Sequence, residues 1–172
     1  MSTFLPELES AWRQGIPLVA AMGVEIAGYT DDELVLRAAL APNINVHGTG
    51  FAGSLYSICT LAGWGVLWLQ LRARGRAAHI VLSEAQIDYG RAVEEAIVCR
   101  CRFDPETQAP NLSQLDATGS GLFPLTATIE SGGGRAVRFE GEYAVKLHTA
   151  PSAEPSAAPA AEPTAASESS AT

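Results

Sequence analysis

Apolar positions along this chain recur first with a helical period, then alternate, then run unbroken, then alternate again. Leu5, Leu8 and Trp12 fall at helical spacing and predict a short helix over residues 5–15, with a second helical turn from Pro17 to Ala21. Residues 23–29 and 33–40 read as a hairpin with Thr30, Asp31 and Asp32 as its turn, because Leu34, Leu36, Ala38 and Leu40 alternate on one face. A loop over residues 41–52 then feeds an apolar run that ends near Arg74 and Gly75, a helix stop with two arginines in the last turn. Strands follow at 79–89 and 95–103, separated by residues 90–94; in the second, Ile97, Cys99, Cys101 and Phe103 oppose Arg100 and Arg102. Residues 104–121 are a polar excursion with at most one helical turn, at 112–115. A final hairpin, 122–131 and 136–147, turns at Gly132, Gly133 and Gly134.

This order predicts an α+β domain. A helix that is apolar nearly all round needs cover on most of its surface, and a curved antiparallel sheet wrapped around it supplies that cover. Residues 55–71 carry no charge and reach the lower limit for a membrane span, but Ser57, Thr60, Gly63, Gly65 and Gln70 interrupt them, so a buried core helix is the expectation.

Composition changes the picture in three places. At 172 residues, 47% of them apolar, the chain supports one domain with a real core. A net charge of −8 excludes general electrostatic binding to nucleic acid. The three cysteines, Cys59, Cys99 and Cys101, form no disulfide framework and fit a reducing cytosol, with no signal peptide visible. From residue 150 to residue 172 the chain is Ala, Pro, Ser, Glu and Thr, too poor in apolar surface to offset its ordering entropy. The expected division is a folded domain over residues 1–149 and a disordered tail over 150–172.

The most informative stretch is Pro42 to Leu71, with no Asp, Glu, Lys or Arg between Arg37 and Arg72. Small residues lead into the helix, whose first N–H groups lack intrahelical partners and suit a phosphate, a carboxylate or a developing oxyanion. Gly48-x-Gly50-x-x-Gly53 matches a dinucleotide fingerprint, but it follows a loop rather than the strand of a βαβ unit. Histidines and cysteines lack metal-ligand spacing, so neither metal nor cofactor is expected.

Asn45, Gly48-Thr49-Gly50 and Phe51-Ala52-Gly53-Ser54-Leu55-Tyr56, followed by Leu61-Ala62-Gly63-Trp64, resemble the loop-to-helix signature of hotdog-fold thioesterases, in particular the family typified by the YiiD C-terminal domain. Ile87-Asp88-Tyr89-Gly90-Arg91-Ala92-Val93 resembles that family's strand-to-turn segment, with Ala92 where a Pro usually stands. The resemblance covers about residues 5–148. It implies a hotdog fold, hydrolysis of an acyl thioester carried by coenzyme A or acyl carrier protein, a role in lipid metabolism in the cytoplasm, and assembly as a homodimer or dimer of dimers. Two departures stand out. The helix-start His of many relatives is Phe51 here, and a helix Asp or Glu is Thr60. The second departure favours a rival reading, a domain that binds acyl thioesters without turnover. His47 has no acid near it, which argues against hydratase chemistry.

The candidate residues follow. Gly53 and Ser54 would polarise the thioester carbonyl through backbone N–H groups, unless the glycine serves only close packing. Asn45 either orients water or carbonyl, or forms a turn. Tyr56 and Thr60 share a helix face and either hold a water or satisfy each other. Asp88, on one strand face with Gln86 and Glu84, is a general base or a solvated strand residue. Phe51, Ala52, Tyr89 and Arg91 are expected against the substrate. Arg91, joined by Arg72, Arg74 and Arg76, would meet carrier phosphates, unless the helix-end arginines only complement the dipole.

Overall fold

Alternation becomes six strands and the unbroken apolar run becomes the helix they enclose. The structure is a computed structural model that describes residues 3–148, so the expected tail over 150–172 lies outside the described residues. The elements are α1 (Leu5–Gly15), α2 (Pro17–Met22), β1 (Glu25–Thr30), β2 (Glu33–Ala38), a 3-10 turn (Ala41–Asn43), α3 (Ala52–Ala73), β3 (Ala78–Tyr89), β4 (Ile97–Arg102), α4 (Pro105–Thr118), β5 (Ser120–Ser131) and β6 (Gly134–Leu147). All strand pairs are antiparallel and form one sheet in the order β1-β2-β4-β5-β6-β3. The expected α+β hotdog architecture is present. Asp31 and Asp32 make the first hairpin turn with φ of 50° and 60°, a left-handed pair that short polar side chains tolerate.

The inner sheet face and α3 share one core. Leu34, Leu36, Cys99, Cys101, Ala127, Ile129, Phe139 and Tyr143 face Ile58, Cys59, Ala62, Val66 and Leu69, all buried. Each fully buried Leu, Ile or Phe contributes roughly 1.5–3 kcal/mol of transfer free energy, so α3 is a core helix despite its length and apolarity. Its two glycines are close-approach points on different neighbours. A Cβ on Gly63 would stand 2.2 Å from the Tyr143 hydroxyl, and one on Gly65 would stand 2.7 Å from both Leu34 and Trp12. Gly75, at φ 68°, ends the helix where the sequence predicts.

One expectation is corrected. Residues 104–121 hold a helix of 14 residues, α4, rather than a polar excursion with a single turn. Asp104 caps it by accepting from the Glu106 N–H, Pro105 starts it, and Gly119 stops it at φ 73°. Only Gln108 and Leu115 are buried along it, so no apolar stripe announces it in the sequence. Its task explains its composition. β4 pairs with β5 only through Cys99–Cys101 against Ala127–Ile129, and α4 covers the length of β5 left over. There Gln108 Nε2 donates to the Pro124 carbonyl at 2.7 Å. Pro124, which has no N–H, is tolerated because its nitrogen and carbonyl point to the side that β4 does not reach.

Candidate functional site

The loop before α3 is held by its asparagines. Asn43 is buried; its Nδ2 donates to the Met22 and Ala39 carbonyls, each at 2.8 Å, and its own carbonyl accepts from the Phe51 N–H at 2.7 Å. Asn45 Oδ1 accepts from the N–H groups of His47 at 2.8 Å and Thr49 at 3.3 Å. Its Nδ2 donates to Thr49 Oγ1 at 2.9 Å and to the Gly50 carbonyl at 3.3 Å. The Asn45 amide is thus committed to shaping the loop on all sides. Gly50 donates to the Val93 carbonyl at 2.7 Å, which docks the loop after β3 against the helix start. The sequence reading misses Asn43 and Val93; a buried Asn inside a Pro-Asn turn is a signal too common to single one out.

This run of bonds ends at the Phe51 N–H. The first helical bond is Leu55 N–H to the Phe51 carbonyl at 3.0 Å, and the N-cap residue Phe51 has no side-chain oxygen to offer. The N–H groups of Ala52, Gly53 and Ser54 consequently have no acceptor among the described residues. They point outward with the positive end of a 22-residue helix dipole behind them. The Phe51 ring lies on Gly53, where an added Cβ would meet Cε1 at 2.5 Å. Tyr89 donates to the Ala52 carbonyl at 2.9 Å, and burial, then Cys59, then Tyr56 push its phenol up. Ile44, Val46 and Phe51 in the loop before α3, and Tyr89 at the end of β3, are large side chains left exposed.

The remaining candidates divide. Tyr56 stands edge-on to Phe139 with ring centroids 5.4 Å apart. The Thr60 carbonyl accepts from the Tyr143 hydroxyl at 2.9 Å, while Thr60 Oγ1 is buried without a hydrogen-bond partner. Tyr56 and Thr60 therefore do not satisfy each other, contrary to one of the two sequence readings. Asp88 lies on the wrong side for chemistry at the helix start of its own chain. Ile87 and Tyr89 face α3, so Asp88 faces away, opposite Arg138 on β6 and exposed. The sheet stands between its carboxylate and the three donors.

The arginines are corrected as a group. Arg91 lies over the β5–β6 turn and donates to the Ser131 and Gly132 carbonyls at 3.3 and 3.2 Å. Arg72, Arg74 and Arg76 belong to the other end of α3, roughly 30 Å away at the helical rise of about 1.5 Å per residue. There Arg72 pairs with Glu7, Arg76 with Asp116, and Arg74 with Gln70. They cannot share a ligand with Arg91. Among the described residues no three His, Cys, Asp or Glu side chains come together as a metal site. Cys99 Sγ donates to Cys59 Sγ at 3.8 Å inside the core, and this bond, followed by burial, pushes the Cys99 thiol up, away from nucleophilic thiolate.

Comparison with known proteins fits this geometry. The family model described as "Putative thioesterase (yiiD_Cterm)" matches residues 5–147. The crystal structure of a putative thioesterase from Shewanella oneidensis is 36% identical with a TM-score of 0.77, covering 86% of this chain and 100% of that one. A protein of unknown function from Chlorobaculum tepidum TLS is 29% identical with a TM-score of 0.80, covering 83% and 94%. The E. coli PaaI protein from the phenylacetic acid degradation operon, at 17% identity and a TM-score of 0.57 over 83% and 93%, shares the fold.

Proposed function

From membership of the YiiD C-terminal family of putative thioesterases, to which this chain belongs over residues 5–147, we propose that it hydrolyses acyl thioesters of coenzyme A or acyl carrier protein at the start of α3. The observation that carries this reading is the set of three unpartnered N–H groups on Ala52, Gly53 and Ser54. Gly53 and Ser54 donate to the thioester carbonyl oxygen, and their bonds strengthen as that oxygen becomes an oxyanion. Water attacks the carbonyl carbon, the C–S bond breaks, and the thiol leaves with the proton returned from solvent. The Tyr56 hydroxyl orients the water, while Thr60 Oγ1 is closed off from solvent and does not reach it. Phe51, Ala52 and Tyr89 flank the acyl carrier arm, and Arg91 stands beyond them with guanidinium donors to spare. The exposure of Ile44, Val46, Phe51 and Tyr89 supports a second copy closing the site, as a homodimer or a dimer of dimers.

A second reading rests on a specific observation. Between Glu33 and Glu84 the chain has no carboxylate, so α3 carries no general base. This favours a domain that binds acyl thioesters without turning them over. Thiol release from a panel of acyl-CoA and acyl-carrier substrates separates the two. Hydrolysis that Gly53→Val reduces by about 10²-fold supports the first reading, because the added side chain crowds the Phe51 ring and displaces the carbonyl from N–H groups that are themselves retained. Tight binding of a non-hydrolysable acyl-CoA analogue with no thiol release supports the second.

A further inference from the structure

Two of the three histidines and the only lysine of this acidic chain come together away from the helix start. The pairing of β6 with β3 and with β5 sets His79, Lys146 and Ser120 side by side in one row, and Val81, Ala144 and Leu122 in the next. Alternation turns both rows away from α3. His148 extends the first row, its ring 4.4 Å from that of His79. Gln114 and Thr118 of α4 form a wall beside the rows, and the groove between them has a volume of about 540 Å³. That lies within the range of roughly 300–1,000 Å³ that small-molecule sites occupy. Val81 and Leu122 on its floor are 59% and 46% exposed.

The groove is cationic at one end, and nothing in the chain answers that charge. Asp and Glu number 19 against 11 Lys and Arg, yet no carboxylate lines the groove. Lys146 has no ion pair among the described residues. Asp116, between the two wall residues on α4, is already paired with Arg76. The His79 and His148 rings lie against each other, and their nitrogens have no hydrogen-bond partner among the described residues. Lys146 thus offers one permanent positive charge and the imidazoles offer N–H donors. Beyond the apolar row Glu84 and Glu142 stand opposite each other. From Lys146 to Glu142 is four residues of β6, about 13 Å at the rise of a strand.

We infer that this groove binds a free aliphatic monocarboxylate of medium chain length, its carboxylate on Lys146 and the two imidazoles and its chain across Val81, Ala144 and Leu122. One ammonium matches the single charge of a carboxylate, whereas a phosphate monoester brings about −1.5 to −2. The apolar row calls for a hydrocarbon body, and that body covers the two exposed aliphatic side chains. The acidic pair beyond repels a second anionic end, so a dicarboxylate is rejected. Its distance from the cations also limits the chain to about ten carbons, at C–C bonds of about 1.5 Å. The groove lies on the face of the sheet turned away from α3, and its ligand does not depend on thioester hydrolysis.

The test is a titration of full-length ¹⁵N-labelled protein with sodium decanoate below its micelle concentration. Amide shifts should saturate and centre on Val81, Leu122 and Lys146. Acetate lacks the chain and decylamine reverses the charge, so neither should saturate the same amides. Lys146→Gln should weaken decanoate roughly fivefold, the scale of one solvent-exposed ion pair. Leu122→Glu should abolish binding by setting a carboxylate in the apolar row. Circular dichroism should be unchanged in both variants, since both side chains are exposed. No saturable shift in wild type, an equal response to decylamine, unchanged affinity in Lys146→Gln, or shifts centred on Ala52 and Gly53 would each overturn the inference. So would groove amides that move with protein concentration rather than with decanoate, which would mark a second copy as the occupant.

Discussion

The Tyr89 hydroxyl donates to the Ala52 carbonyl at 2.9 Å, so the last residue of β3 holds the first residue of α3. The bond spans 37 residues of sequence and fixes where the three free donors point. Tyr89→Phe keeps the ring and removes the bond. A partly exposed hydrogen bond contributes about 0.5 kcal/mol net, so the melting curve should move little. Thiol release should fall roughly threefold, the kinetic equivalent of about 0.6 kcal/mol, because the helix start loses its tether. Steady-state hydrolysis beside a thermal melt checks both. An unchanged rate would mean that the bond does not position the donors.

Gly63→Ala tests the core rather than the site. The added methyl would lie 2.2 Å from the Tyr143 hydroxyl and 2.6 Å from its ring carbon, and that hydroxyl donates to the Thr60 carbonyl. Tyr143 is fully buried on β6 and has nowhere to retreat. Overpacking together with a broken buried hydrogen bond should cost about 3 kcal/mol. Urea unfolding measures it, and a loss below about 1 kcal/mol would show that β6 can shift outward at this point.

Much of this architecture is visible in the sequence because burial imposes a period. Leu34, Leu36 and Ala38, or Cys99 and Cys101, alternate because one face of each strand meets α3. The charge-free run after Arg37 is long because α3 meets neighbours on nearly every side. α4 escapes notice for the opposite reason. It covers a strand edge with a glutamine and a leucine, and that needs no stripe. The close approaches at Gly63 and Gly65 are equally hidden, since a glycine in a helix does not say which neighbour it admits. At the site, the loop and the donors are legible as a local motif. The separation of Arg91 from Arg72, Arg74 and Arg76 is not, because it follows from the length of α3 and the path of β3 back along it.

The hairpin turn offers a pH-dependent measurement. Gln70 Nε2, on α3, donates to Tyr29 Oη at 2.6 Å and to Asp32 Oδ1 at 2.7 Å. Burial first, and the Asp32 carboxylate second, push the Tyr29 phenol up to about 12. In the unfolded chain it titrates near the ordinary value of about 10. Between pH 10 and pH 12 the folded form holds a proton that the unfolded form has lost, so stability falls as pH rises through this window. Below pH 10 both forms hold it and Tyr29 adds no slope. Urea midpoints from pH 9 to pH 11.5 should therefore decline less steeply in Tyr29→Phe than in wild type. Tyr143, pushed up by burial as well, leaves a residual slope in the variant.

Asp88→Asn decides whether this chain's own carboxylate takes part in hydrolysis. Sequence reasoning admits Asp88 as a general base because the helix carries no acid of its own. The strand period separates the two. Tyr89 turns inward to Ala52, and Asp88 turns outward to its cross-strand neighbour Arg138. A base must come within about 3 Å of the proton it removes, or act through one water. The sheet does not allow that from the outer face. Asp88→Asn should then change thiol release by less than about twofold, whereas removal of a working base costs roughly 10²–10⁴-fold. With no side-chain base, the rate should also rise steadily with pH through neutrality, following hydroxide rather than levelling above a carboxylate pKa. A loss of 10²-fold or more in Asp88→Asn would contradict this geometry and require a route by which the outer-face carboxylate reaches the start of α3.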